Sequence, residues 1–138
     1  MASHPDVRSA YTMTGVNTGF LYTLRRSFQV MTFEDRALSS EEHAQWWPAL
    51  KLGAEARQAL RGRPLAHYVD DLTAVRRVTL ERLAVRDDGW LDRSVATAPK
   101  INIHWAWFHA AEDEINHRGQ IRWLRKRLPN RGSTGSDT

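Results

Sequence analysis

At 138 residues the chain has room for one domain whose core needs no covalent staples, and with no cysteine it cannot use disulfides, thiolate metal ligands or a cysteine nucleophile. Its +4 charge and pI near 10.0 reflect 20 basic against 16 acidic residues, with the excess concentrated at Arg118, Arg122, Arg125, Lys126, Arg127 and Arg131; no helix-turn-helix, zinc-finger or RNA-binding motif goes with them, so a solvated helix end is expected rather than a nucleic-acid partner. No apolar run reaches the roughly 18 to 20 residues of a membrane span, and the N-terminus lacks signal-peptide order, so the expectation is a cytoplasmic protein without a membrane partner.

Residues 1–17 are poorly patterned and are expected to fray. Over residues 18–35 the apolar side chains of Phe20, Leu21, Leu24, Phe28 and Met31 recur at three and four, which predicts a first amphipathic helix. "ALSSEE" offers Ser39 or Ser40 as an N-cap with Glu42 closing a capping box. The helix that follows holds Trp46 and Trp47 and is expected to bend or break at Pro48. A short piece continues through Leu52, Ala56 and Leu60 and stops near "RGRP".

Pro64 suits a first helical position. From there Leu65, Tyr68, Leu72, Val75, Thr79 and Leu83 make the cleanest amphipathic pattern in the chain. "RDDGWLDRS" breaks it, and "VATAPKIN" reads as a connecting loop. A last helix is expected over residues 102–128, with a disordered tail at 129–138. The expected fold is all-α, an antiparallel bundle with short connections.

The last helix carries a polar stripe. At about 100° per residue, Asp113, His117 and Gln120 lie within about 80° of His109, and Asn116 lies just to the other side. Leu124, Ala106, Trp105 and Trp123 bracket them, which a purely solvent-facing stripe would not need. Asp113 and His117 are four apart and project over the same turn, a spacing at which one carboxylate and one imidazole can hold a divalent ion such as zinc, nickel, manganese or iron. Two ligands are not a site, and a third must come from another helix. The same spacing also suits an ordinary charge-assisted pair. No phosphate-binding glycine loop or nucleophile elbow is present, so no nucleotide cofactor and no serine triad is expected.

The stretch "WFHAAEDEINHRGQIRWLRKRL", residues 107–128, resembles the last helix of the DinB-like, damage-inducible superfamily, which includes the mycothiol- and bacillithiol-dependent S-transferases. The similarity lies in His109, Asp113 and His117 at successive spacings of four, followed by "RGQ" at 118–120. "FQVMTFEDRALSSEE", "LGAEARQALRGRPLAHYVDDL" and "LAVRDDGWLD" resemble the branch with an acidic residue at the middle position. The resemblance spans about residues 28–128. It implies a four-helix bundle, often dimeric, with a divalent metal held by Asp113, His117 and one histidine from the second helix. His109, and with it Gln120, would take a supporting position beside the ligands. The second-helix position falls on Phe20, which cannot ligate a metal, and the usual first helix has no counterpart, so the domain starting at residue 18 reads as a bundle whose first helix is truncated or replaced. Leaving about 500 Å² of apolar surface uncovered would forgo on the order of 12 kcal/mol. That rivals the stability of a whole domain. Residues 1–17 or a partner subunit are therefore expected to cover it.

Two functions follow as expectations. One is a DinB-like divalent-metal-binding protein, an S-transferase or hydrolase-type enzyme acting on a small molecule, with a third ligand from His4 or His67. The other is a metal-free, dimerising helical bundle without catalytic activity, in which His109, Asp113, His117 and Gln120 form an internal hydrogen-bond ladder.

Overall fold

A computed structural model of the chain describes residues 7–51, 53–60 and 63–127, with side chains described from residue 17 onward. It is mostly helical. The order is α1 (Val7–Phe28), a π-helical turn (Gln29–Phe33), α2 (Ser40–Lys51), α3 (Ala54–Ala59), α4 (Leu65–Leu83), α5 (Asp88–Leu91), a hairpin of β1 (Ser94–Val95) and β2 (Ala98–Asn102), and α6 (Ile103–Arg125). His4, Leu52 and the expected tail at 129–138 lie outside the described residues.

The centre of the fold is α1, which packs against α2, α3, α4 and α6. It begins at Val7, well before the expected start at residue 18. The apolar period is weak at that end because Asn17 and Thr18 take buried positions that a sequence reading reserves for apolar residues. At its other end Thr32 Oγ1 donates to the Phe28 carbonyl at 2.6 Å, and the Glu34 amide reaches back five residues to the Gln29 carbonyl. The widened turn buries Gln29, Val30 and Thr32. Gln29 Nε2 donates to the Val75 carbonyl and to Thr79 Oγ1, both at 3.0 Å, and Arg26 Nη1 donates to Gln29 Oε1 at 2.8 Å. These bonds fix α1 beside α4 with both donors and the acceptor of a buried amide matched.

Chain directions follow from such pairs. Leu21 shares a hollow with Leu72, and Gln29 bonds to Thr79, so α1 and α4 run parallel. Phe20 meets His117 while Phe28 meets Trp107, so α6 runs antiparallel to α1.

The capping box forms with Ser39: its Oγ accepts from the Glu42 amide at 3.1 Å, and its own amide donates to the Glu42 carboxylate at 2.9 Å. Arg36 also holds that carboxylate, pulling its pKa down to about 2. Contrary to expectation α2 passes through Pro48 to Lys51, with Trp46 and Ala49 buried on either side of the proline. Their burial offsets the one hydrogen bond a helical proline forfeits. Instead the break comes at Gly53, whose φ of 104° an L side chain rarely adopts. Pro64 caps α4 from just outside rather than occupying its first turn. Along α4, Tyr68, Val75 and Thr79 are buried, whereas Leu65 is exposed.

The expected loop at "VATAPKIN" is instead an antiparallel hairpin, with Val95 paired to Ala98. Its apolar side chains close one end of the bundle. Val95 joins Phe28, Ile103, Ala106, Trp107 and Ala110 in the core, and Phe33 stacks between Trp90 and Trp107 at 5.5 and 5.2 Å. Asn102 then starts α6, its side chain accepting from the Trp105 amide at 2.7 Å.

Candidate functional site

The polar stripe of α6 splits into two pairs. One is half-exposed: His109 Nε2 lies 3.2 Å from an Asp113 carboxylate oxygen, and the same ring stacks on Trp105 at 4.7 Å. The other is buried: His117 Nδ1 lies 2.6 Å from Asn17 Oδ1, one turn before Phe20 on α1. With the amide oxygen as acceptor, Nδ1 carries the proton and donates. Burial lowers the His117 pKa, with nearby Asp113 opposing the shift, so the ring is held neutral. Phe20 stacks on that ring at 4.8 Å with planes 30° apart.

Phe20 therefore sits against His117, the neighbourhood in which the sequence resemblance expects a third ligand. The structure brings together Asn17, Phe20 and His117, and separately His109 and Asp113. No hydrogen bond among the described residues joins Asp113 to His117, and Gln120 stays exposed beside a hollow of about 450 Å³ shared with Asn17, Trp123 and Leu124. His67 is engaged elsewhere, 3.2 Å from Asp71 and 3.1 Å from an Arg63 guanidinium nitrogen. Among the described residues, no three His, Asp or Glu side chains gather closely enough to hold one metal ion.

The donor set does not suit the metal that the resemblance implies. One flank of the imidazole is covered by a phenyl ring with no lone pair to offer, and the carboxylate is drawn one turn away to His109. Sequence reasoning missed Asn17. The available signal was position: Asn17, Phe20, Leu21, Leu24 and Phe28 continue one helical period, so the face extends a turn earlier than its first apolar residue.

A second polar cluster lies on the other side of the α1–α6 contact. Arg25, nine-tenths buried in its side chain, bonds to Glu114, which also reaches Arg76 of α4 at 3.2 Å. Burial and the neighbouring Arg76 charge both lower the Arg25 pKa. Glu114 thus ties three helices together through one carboxylate. Its neighbour in sequence, Asp113, turned about 100° around the helix, pairs with His109 instead.

A scan against protein-family models and a search of curated proteins each return no match. Among the described residues no helix is long and apolar enough to cross a membrane.

Proposed function

We propose that this chain is a metal-free helical-bundle protein of DinB-like type that works by association rather than by catalysis at the α6 stripe. The observation that carries this reading is the surroundings of His117. Its Nδ1–H is taken by Asn17 and one ring face by Phe20, so what would be a chelating histidine is held in the core by an amide and a phenyl ring rather than by other ligands. The chain order supports the DinB-like part: α1 and α4 parallel, with α6 antiparallel, is the sequence of directions expected for the last three helices of an up-down-down-up bundle.

The rival reading, a divalent-metal enzyme with a small-molecule substrate, has one observation behind it. Asn17 fixes the tautomer that leaves the His117 Nε2 lone pair free, and a fixed tautomer is what a metal-binding histidine needs.

Metal titration separates the two. The parent protein is expected to purify with far less than one metal per chain and to show no rise in melting temperature on adding zinc or nickel. Phe20→His supplies a second imidazole against His117 and should create zinc-dependent stabilisation that the parent lacks. Stoichiometric zinc or nickel in the parent, lost in Asp113→Ala, would overturn the reading.

A further inference from the structure

Away from the polar stripe, three charged side chains meet between α1, α4 and α6. Each oxygen of the Glu114 carboxylate takes one guanidinium, Oε2 that of Arg25 and Oε1 that of Arg76. The same three residues line two hollows, one of about 200 Å³ and one of about 170 Å³, and so stand as the partition between them. We propose that this cluster is a binding site for a small monoanionic carboxylate with an apolar body, benzoate being the simplest example, and that Glu114 is its built-in competitor.

Arg25 has a donor to spare. Its side chain is only 10% exposed, and the buried Nε has no hydrogen-bond acceptor among the described residues. Nε–H and an Nη2 N–H lie along one edge of the guanidinium, the edge that a carboxylate grips with both oxygens. Glu114 takes only the Nη2 half of it, because its second oxygen is drawn to Arg76. A buried N–H without an acceptor is costly, so a carboxylate that spans the whole edge is favoured there. Charge points the same way. Two cations and one anion line the hollows, so one bound monoanion brings the cluster to neutrality. It also offsets the Arg76 repulsion that, after burial, lowers the Arg25 pKa.

The larger hollow sets the body of the ligand. Besides the charged groups it is bounded by Leu80, Leu83, Trp107, Ala110 and Ala111, and its Thr79 hydroxyl is already engaged with Gln29 and Val75. At about 30 Å³ for a water-sized group, this space takes about six or seven such groups, the size of one phenyl ring. Entry needs Glu114 to turn aside. The Glu114 side chain is 36% exposed and that of Arg76 59% exposed, so both have solvent to turn into while Arg25 stays in place.

The Arg25 Nε–H gives a direct readout in proton–nitrogen NMR, its signal identified by its loss in Arg25→Lys. Titrating the full chain with sodium benzoate at constant ionic strength should shift that signal saturably, with a Kd of about 1 mM for so small a ligand. Benzamide, the same shape without the charge, should leave it unmoved. Glu114→Gln removes the competitor and should tighten benzoate about tenfold, whereas Arg76→Gln lets both Glu114 oxygens close on Arg25 and should weaken it about tenfold. Unchanged circular dichroism verifies that each variant folds, and Arg76→Gln, at a largely exposed position, keeps the test open should Glu114→Gln lose its fold. No benzoate response in the parent up to about 20 mM, well past the expected Kd, would overturn the proposal. So would an equal response to benzamide, or folded variants that fail to move the affinity in opposite directions; the cluster would then be a structural tie alone. Inorganic phosphate binding more tightly than benzoate would overturn the apolar body. None of these outcomes depends on whether the α6 stripe takes up metal.

Discussion

Two helices of nearly equal length, α1 with 22 residues and α6 with 23, meet solvent in opposite ways. Not one of residues 17–33 of α1 and its π turn is fully exposed, although Asn17, Thr23, Arg25, Ser27, Gln29 and Thr32 are all polar. In α6, Ile103, Ala106, Trp107, Ala110, His117 and Leu124 are buried while Phe108 and Ile115 stand in water. Polarity is therefore a poor guide to burial here, and the supply of partners is a better one. Inside, Asn17 has His117, Gln29 has Val75 and Thr79, Arg25 has Glu114, and Thr32 has both the Phe28 carbonyl and the Trp107 indole N–H. A buried amide without such partners would cost about 1–3 kcal/mol.

The contrast is most easily broken at tryptophan. Trp107 is buried and donates to Thr32 at 3.2 Å, so Trp107→Ala should cost about 3–5 kcal/mol in urea denaturation. Trp123, on the same helix but 53% exposed beneath Arg127, should cost less than about 1 kcal/mol when truncated. Similar losses at the two positions would mean that α6 is covered on both faces in solution.

The two halves of the polar stripe should separate next. Asn17→Ala strands the His117 Nδ1–H in the interior and should cost about 1–3 kcal/mol. His109→Ala removes a half-exposed pair and should cost no more than about 1 kcal/mol. Equal effects would indicate one coupled ladder rather than two pairs.

Acid should act through the buried half. Burial depresses the folded-state pKa of His117 below the unfolded value of 6.5, so the neutral ring's contribution is fully present above that pH. It is lost as pH falls from 6.5 through the lowered folded value, where the unfolded chain binds the extra proton first. Thermal melts between pH 7.5 and pH 4.5 should show this decline, shallower in His117→Gln than in the parent. An identical slope in the variant would assign the decline to other groups.

Glycine gives the smallest difference and a change of sign. In dilute solution Gly119→Ala should stabilise by up to about 1 kcal/mol, because alanine favours the helix and the added methyl meets nothing. At Gly19 the same methyl would lie 2.6 Å from a Leu60 methyl, so Gly19→Ala should gain nothing or lose stability until Leu60 shifts. A gain at both positions would mean that α3 is not seated firmly on α1.

Much of the scaffold was legible in the residues alone. The three-four spacing of Tyr68, Leu72, Val75 and Thr79 reads as α4, Ser39 with Glu42 reads as a capping box, and residues 102–128 read as one long helix, of which the structure describes Ile103–Arg125 as helical. These signals are local: side-chain period and the needs of unpaired amides at a helix start decide them. The hairpin was not legible, because Pro99 and Lys100 interrupt its alternation and only Val95 is fully buried. Pro48 was misleading for the opposite reason, since Trp46 and Ala49 hold the helix together across it. The half of the site on α6 was visible as a stripe, but its division was not: Asn17 and Phe20 lie 100 and 97 residues from His117.

The sequence by itself determined the helical period, the caps and the set of groups that α6 presents at each angle, because these depend on neighbours within a few residues. It also determined that residue 20 brings a phenyl ring, and no ligand, to its place. Only the tertiary structure decided that α1 is the enclosed centre, that Asn17 rather than Asp113 bonds to His117, and that the Ile115 face is left open. Those outcomes depend on which distant side chains meet, and a lone pair or a donor acquires its role from the group packed against it.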